Sequence, residues 1–275
     1  MAEVFAPAKI NLTLHVTGRR EDGYHELDSL VMFADIGDRI TVTRAAAPRL
    51  VVTGPMAGGV PTDDRNLVRR AADLIGVPAD MTLEKNLPHA AGLGGGSSDA
   101  AAALKALTRL GNRDLPDNLL ALGADVPVCL AGTAARVRGV GEAVTPIAEL
   151  PVLHAVLVNP KLPVLTAEVF RRLARSCNPP MPDALPAFPR AGDMIDWLRG
   201  MRNDLEKPAI EAEPVIEQVF ATLKKTPGCQ LTRMSGSGGT CFGLYGDAET
   251  AAAAAGRLRE SYPGWWVTAT RLNAA

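Results

Sequence analysis

The sequence predicts an α+β protein in two domains, and three observations carry that prediction. Segments with strand alternation and segments with helical spacing are mixed along the whole chain. At 275 residues, the chain suits two modest cores better than one large one. A glycine- and serine-rich loop at residues 89–98 opens directly into a helix-forming run. The boundary is expected near Leu150, giving domains over residues 1–150 and 151–275.

The first element is a strand over residues 10–16. Ile10, Leu12, Leu14 and Val16 point one way and Lys9, Asn11, Thr13 and His15 the other, as in a strand with one core face and one polar face. Pro7 suits a strand start or an edge. Residues 18–25 form a polar loop with Gly18 and Gly23 at its turns. Short apolar runs follow at 39–43, 50–53 and 81–84. Between the last two, residues 66–75 have helical spacing, with Leu67, Ala71 and Leu74 on one face. After the glycine loop, alanine and leucine dominate the next helix. Its buried stripe is Ala100, Ala103, Leu104, Leu107 and Leu110, and Ser97 or Ser98 is the expected N-cap.

Further on, residues 155–158 read as a buried strand and 166–174 as a helix. Five prolines between Pro179 and Pro189 mark an irregular connection with room to move. A helix is expected over 215–223, with Val215, Val219 and Phe220 inward. A small-residue loop at 234–239 precedes a strand at 240–245. A helix at 249–260 and a strand at 266–270 end the chain. No internal repeat of solenoid period is present.

The composition excludes several classes. Apolar residues make up 47% and charged residues 21%, which are ordinary globular values. The net charge of −1, without a basic run, argues against nucleic acid as a partner. The alanine run at 251–255 is too short and too weakly apolar to cross a bilayer. The first seven residues have neither the basic start nor the apolar run of a signal peptide. Cys129, Cys177, Cys229 and Cys241 are scattered, so reduced thiols are expected rather than disulfides or a zinc site. A soluble cytoplasmic enzyme, monomeric or weakly dimeric, is the expectation.

The glycine loop carries the strongest chemical signal. Exposed backbone N–H groups at a helix N-terminus form an anion site, and glycines let phosphate oxygens come close. Ser97 and Ser98 add hydroxyls that could stand near a phosphate-bound Mg²⁺. The loop is neither a Walker A motif nor Gly-x-Gly-x-x-Gly, and it lacks the Gly-x-Ser-x-Gly of a hydrolase elbow. Three consecutive glycines exceed what a helix cap needs, and each costs about 0.5–1 kcal/mol of chain entropy. Taken alone, Lys9 reads as a solvated lysine and Asp125 as an Asx-turn or helix-cap aspartate. Phosphoryl transfer does use a residue that orients a hydroxyl and cations at the phosphoryl oxygens.

Three ordered motifs connect these residues. They are Pro7-Ala8-Lys9-Ile10-Asn11-Leu12, Pro88-His89-Ala90-Ala91-Gly92-Leu93-Gly94-Gly95-Gly96-Ser97-Ser98, and Gly236-Ser237-Gly238. Together they resemble the galactokinase, homoserine kinase, mevalonate kinase and phosphomevalonate kinase superfamily. Asp22-Gly23-Tyr24-His25, Leu122-Gly123-Ala124-Asp125-Val126-Pro127 and Asn203-Asp204-Leu205-Glu206 resemble a branch that phosphorylates a cytidine-diphosphate-linked alcohol. The resemblance spans nearly the whole chain.

It implies an N-terminal domain like the second domain of ribosomal protein S5 and a C-terminal ferredoxin-like domain. It implies ATP with Mg²⁺ as the phosphoryl donor. By the same resemblance Lys9 and Asp125 match the catalytic pair, and residues 88–98 match the ATP phosphate loop. Tyr24 and His25 match residues that hold the cytosine, with Phe170 on the other side of the ring. Asn11, Thr166, Gly236, Ser237 and Gly238 match neighbours of the substrate. Cys129 stands where the family usually has an aromatic, and Gly239 where alanine or proline is usual. The rivals are a kinase of the same superfamily acting on mevalonate or homoserine, and a nucleotide-binding module without catalysis. Tyr24 and His25 argue against the first, Lys9 and Asp125 against the second.

Overall fold

A computed structural model describes residues 1–273. The chain divides into two compact units, each assembled from several stretches. One unit comprises Met1–Lys9, Ile36–His89 and Gly94–Gly132. The other comprises Ile10–Asp35, Ala90–Leu93 and the chain from Thr133 onward.

In the first unit, β4 (Arg49–Thr53) runs parallel to β5 (Ala79–Glu84). Strand β5 pairs antiparallel with the end of β3 (His25–Arg44), from Arg39 opposite Glu84 to Arg44 opposite Ala79. Strand β1 (Ala2–Asn11) also pairs with β3. The backbones pass so closely that a Cβ on Gly37 would lie 2.1 Å from the Ala6 carbonyl oxygen. Alternation in β5 buries Ala79, Met81 and Leu83 and exposes the residues between, the period-2 pattern of a half-covered strand.

Helix α1 (Leu67–Ile75) is capped by Asn66, whose side chain accepts from Val68 N, and ends at Gly76 with φ 68°. The expected face of α1 is corrected by one position. Val68, Ala71, Ala72 and Ile75 are buried, whereas Leu74 is 40% exposed. Helix α2 (Gly95–Gly111) turns Ala100, Ala103, Leu104 and Leu107 inward. Small residues on both helices let α1 and α2 share one core with Ile40, Val42, Met81 and Leu83. Truncating a fully buried member such as Leu104 to alanine would cost about 2–5 kcal/mol. The α2 N-cap is Gly94, not Ser97 or Ser98. A single 3₁₀ turn (Leu119–Ala121) and α3 (Val126–Ala131) complete the unit.

In the second unit, β8 (Leu153–Asn159) lies between β11 (Trp266–Leu272) and β10 (Cys241–Tyr245), with β9 (Leu231–Met234) outside β10. All three pairings are antiparallel. Numbered within this sheet by sequence, the order is fourth, first, third, second, with helical connections after the first and third strands. That is the ferredoxin-like split βαβ arrangement. The helices are α4 (Thr166–Arg171), α5 (Ala191–Arg199), α6 (Glu206–Ala212), α7 (Val215–Lys224) and α8 (Ala248–Ser261). Helix α4 is shorter than the sequence suggested, and the inward stripe of α7 is Ile216, Val219 and Leu223. The start of β3 pairs with β2 (His15–Arg19) and with β6 (Ala135–Gly139), and β6 with β7 (Ala143–Pro146).

The strand expected over residues 10–16 is broken. Strand β1 ends at Asn11 and β2 begins at His15. Its polar face is not solvated, because Lys9, Asn11, Thr13 and His15 are all buried. Each has at least one polar partner, Asp125 for Lys9, Ser29 for Asn11, the Leu30 N–H for Thr13 and the Pro179 carbonyl for His15, which is what burying such groups requires. Asn11 Oδ1 and His15 Nε2 have none among the described residues. The proline-rich connection is tied down rather than loose. Buried Arg136 donates to both Asp28 oxygens, at 2.8 and 2.6 Å, and to the Met181, Pro182 and Asp183 carbonyls. No helix among the described residues is long and apolar enough to cross a membrane.

Candidate active site

Lys9 sits near the end of β1, and Asp125 immediately precedes α3. Lys9 Nζ lies 2.6 Å from Asp125 Oδ1, with side-chain exposures of 5% and 38%. Asp125 occupies the N-cap position of α3 but makes no side-chain capping bond. The carboxylate is therefore committed to the lysine, and its open side can accept a further proton donor. Lys9 is fixed from behind by the glycine loop. Gly94 has φ 61°, and a Cβ on it would stand 3.1 Å from Lys9 Cβ. Cys129, on α3, is buried, and burial followed by the Asp125 charge pushes its thiol pKa up, so it stays protonated.

The loop then enters α2 without a side-chain cap. The first N–H groups of a helix have no intrahelical acceptor and carry its positive dipole end. Gly96 is exposed, and a Cβ there would meet nothing nearer than Leu67 Cδ1 at 3.8 Å. The protein does not itself demand glycine at that position. A cradle kept free of Cβ atoms at a helix N-terminus fits a polyphosphate that must approach the backbone. The two serines differ. Ser98 Oγ is buried and donates to the Pro7 carbonyl at 2.7 Å, which leaves Ser97, half-buried, as the hydroxyl suited to a phosphate-bound cation. Pro88 is buried, while His89 and Ala90 are exposed.

Beneath α2 lies a cluster that the sequence reading missed. Lys85 Nζ donates to Asp99 Oδ2 at 2.7 Å and to Asp38, and all three side chains are buried. Asp38 also accepts from the backbone of Asn86 (2.5 Å) and Leu87 (2.9 Å). Burial and the neighbouring Asp38 charge raise the Asp99 pKa to about 7, although Lys85 opposes the shift. Burial pulls the Lys85 pKa down, but the Asp99 and Asp38 carboxylates outweigh it and the net shift is upward. The faint sequence signal was Asp99 beside the two loop serines.

The second unit assembles the other predicted residues. Residues 90–93 belong to it. Gly92, at φ 72°, approaches Ser235 so closely that a Cβ would be 2.2 Å from the Ser235 carbonyl oxygen. Ser235 Oγ donates to the Gly92 carbonyl at 2.7 Å, and Thr240 N donates to the Ala91 carbonyl at 3.0 Å. Asn203 Nδ2 holds the same loop through the Met234 and Gly236 carbonyls, each at 2.9 Å. Gly236 and Gly238 both have positive φ, and the Ser237 and Thr166 hydroxyls share a hydrogen bond of 2.7 Å. Ser235 and Asn203 are the supporting groups here.

The aromatic residues adopt a definite arrangement. His25 and Phe170 stack on each other, with centroids 4.8 Å apart and planes 24° from parallel. Tyr24 is 65% exposed. A base inserted between two rings needs about 7 Å, two carbon contact distances, so the stacked pair must part or offer an outer face. Burial and then the Arg19 charge lower the His25 pKa. Its imidazole is therefore neutral at neutral pH, with one donor and one acceptor nitrogen.

A buried lysine paired with an aspartate, beside a glycine loop that opens a helix, suits a small-molecule kinase. The chain matches the model for the GHMP kinases N terminal domain over residues 66–135 and that for the GHMP kinases C terminal over residues 184–264. It is 57% identical to the 4-diphosphocytidyl-2-C-methyl-D-erythritol kinase of Dinoroseobacter shibae, over 98% of this chain and 94% of that one. The protein of the same name from Cereibacter sphaeroides is 56% identical over 99% of both chains. A crystal structure of 4-(cytidine 5'-diphospho)-2C-methyl-D-erythritol kinase superposes with a TM-score of 0.77, at 37% identity over 100% of both chains. The chain belongs to the 4-diphosphocytidyl-2-C-methyl-D-erythritol kinase family of GHMP kinases.

Proposed function

We propose that this protein transfers the γ-phosphoryl group of ATP to the 2-hydroxyl of 4-diphosphocytidyl-2-C-methyl-D-erythritol, in non-mevalonate isoprenoid precursor biosynthesis. The observation that carries the mechanism is the Lys9–Asp125 contact of 2.6 Å, made by an aspartate that does not cap its helix. The open Asp125 oxygen accepts the proton of the 2-hydroxyl while the hydroxyl's own oxygen bonds to the γ-phosphorus and the bond from that phosphorus to ADP breaks. Lys9 fixes the carboxylate and offsets negative charge that builds as the bond to ADP breaks. Much of the benefit in a loose transition state is positioning and electrostatics of this kind.

The phosphates lie on the backbone of residues 94–98 at the α2 N-terminus. Mg²⁺, with the Ser97 hydroxyl as its protein-side neighbour, would supply charge neutralisation at the phosphate oxygens. The cytosine stacks on Phe170, with His25 reading its edge and Tyr24 covering it. Asn11, Thr166 and the Gly236-Ser237-Gly238 loop surround the rest of the substrate. The enzyme acts in the cytoplasm.

The test incubates the protein with ATP, Mg²⁺ and the cytidine substrate and follows the product by ³¹P NMR. A new phosphomonoester resonance, matched by stoichiometric ADP, is expected. ATP consumption with mevalonate or homoserine but not with the cytidine compound would refute the reading.

A further inference from the structure

Asn11 ends β1. Its side chain belongs to a short hydrogen-bond relay within the second unit. Asn11 Nδ2 donates to Ser29 Oγ at 2.8 Å, and Ser29 Oγ donates to the Thr13 carbonyl at 2.5 Å. The donor inventory fixes the direction. A backbone carbonyl only accepts, and a serine hydroxyl has one proton. With that proton on the Thr13 carbonyl, Ser29 can only accept from Asn11. The amide must then turn its NH₂ toward Ser29 and its carbonyl away. Asn11 Oδ1 is buried and has no hydrogen-bond partner among the described residues.

The backbone of Asn11 is fixed as well. Asn11 N donates to Ser235 Oγ at 3.1 Å, and Ser235 is the serine that donates to Gly92. Asn11, Ser29 and Ser235 are all buried. A buried, rigidly held carbonyl oxygen without a donor loses stability that only an incoming donor can return.

We propose that Ser29 is a positioning residue, locking the Asn11 amide so that Oδ1 accepts a hydrogen bond from a non-reacting hydroxyl of the acceptor alcohol. The inference rests on the phosphoryl-transfer reading above and adds its chemical selectivity. An acceptor oxygen at this place welcomes an O–H group. It repels a carboxylate or phosphate oxygen brought to the same position, so the site selects polyols over acidic alcohols.

The experiment compares kcat/KM for the substrate and for its 1-deoxy and 3-deoxy analogues, which lack one or other non-reacting hydroxyl. Wild type should disfavour one analogue by about 10²-fold, mostly through KM, as a site built to pair a hydroxyl does. Ser29→Ala frees the amide to flip and should cut that discrimination to roughly threefold, leaving KM for ATP unchanged. Ser29→Thr, which keeps the hydroxyl, should restore it. Should Ser29→Ala not fold, Ser29→Cys keeps the shape with weaker hydrogen bonds, and discrimination must fall there too. Equal use of both analogues by the wild type, or undiminished discrimination in a folded Ser29→Ala or Ser29→Cys protein, overturns the proposal. Absence of any turnover of the parent substrate by wild type would instead strike the reaction itself, and this inference with it.

Discussion

Replacing Gly96 by alanine separates what the fold needs from what the phosphate needs. Gly96 lies in the first turn of α2, is exposed, and is not among the glycines with positive φ. A Cβ there would meet only Leu67 Cδ1, at 3.8 Å, an ordinary contact. Glycine-to-alanine changes at such compatible positions stabilise by about 0.4–1 kcal/mol through the unfolded chain. For a chain of this size that corresponds to a melting temperature about 1–4 °C higher. On the proposed reading of the loop, the methyl group nevertheless stands where phosphate oxygens approach the backbone. Losing one charge-assisted N–H bond, worth about 1.5–3 kcal/mol, weakens ATP binding roughly 10- to 150-fold. Gly94→Ala is the contrast. Its φ of 61° and the 3.1 Å approach to Lys9 Cβ put strain on the fold itself, about 1–2 kcal/mol from the left-handed backbone alone. Scanning calorimetry and ATP titration of both variants make the test. A Gly96→Ala protein that melts higher and binds ATP as wild type does would remove residues 94–98 from the phosphate site.

Asp125→Asn keeps the shape of the carboxylate without its charge, so kcat should fall by about 10²-fold or more while calorimetric binding of the cytidine substrate persists. Near-normal turnover would return Asp125 to a structural role. In competition, the cytidine substrate should beat its uridine counterpart by at least about 10²-fold. His25→Ala should erase most of that preference, and Phe170→Ala should raise KM for both without changing their ratio. Equal use of the two compounds by wild type would refute a cytosine-reading His25. Asp99, with its pKa raised to about 7 by burial and by Asp38, binds a proton more tightly folded than unfolded. Its contribution to stability is complete below the ordinary carboxylate range and is lost as pH rises through about 7. Melting curves of Asp99→Asn should therefore fall less than those of wild type between acid and neutral pH, and parallel curves would count against the raised pKa.

Elements whose own side chains decide their burial were readable. The alternation of β5 and the Asn66-capped helix α1 both appear where the sequence places them. The face of α1 was not readable, because Leu67-Ala71-Leu74 and Val68-Ala71-Ile75 are equally apolar stripes and only the neighbouring helix chooses. The single 20-residue β3 was hidden for a related reason. Asp35, Asp38 and Arg39 interrupt its apolar pattern, and nothing local says that Asp38 is buried against Lys85. Lys9 and Asn11 lie on the polar face of the expected strand, and Lys9 taken alone reads as solvated, as lone lysines usually are. What buries those residues are partners far along the chain, Asp125 for Lys9 and Ser29 for Asn11. The glycine loop was legible because repeated glycine has few reasons other than backbone exposure. Ser29 carried no such mark, since a single polar residue announces its role only through the group it meets.

The buried cluster under α2 poses an electrostatic problem that its protonation resolves. Fully ionised, Asp38, Lys85 and Asp99 would carry one net negative charge. They lie close to the loop, since a Cβ on Gly95 would be 3.5 Å from Lys85 Nζ and 3.8 Å from Asp38 Oδ2. A buried negative charge there would oppose the helix dipole and repel a polyphosphate. Asp38 accepts two backbone N–H bonds as well as one from the lysine. Asp99 has one unpartnered buried oxygen, Oδ1, which is the cheaper place to keep a proton. With Asp99 neutral the cluster is a balanced Lys85–Asp38 pair that braces the loop without a field against its ligand. ATP affinity of the wild type should weaken as pH rises past Asp99's titration, whereas Asp99→Asn, which cannot ionise, should hold its affinity over that range. A wild type and variant with the same pH dependence of ATP binding would show that Asp99 carries no charge the loop can feel.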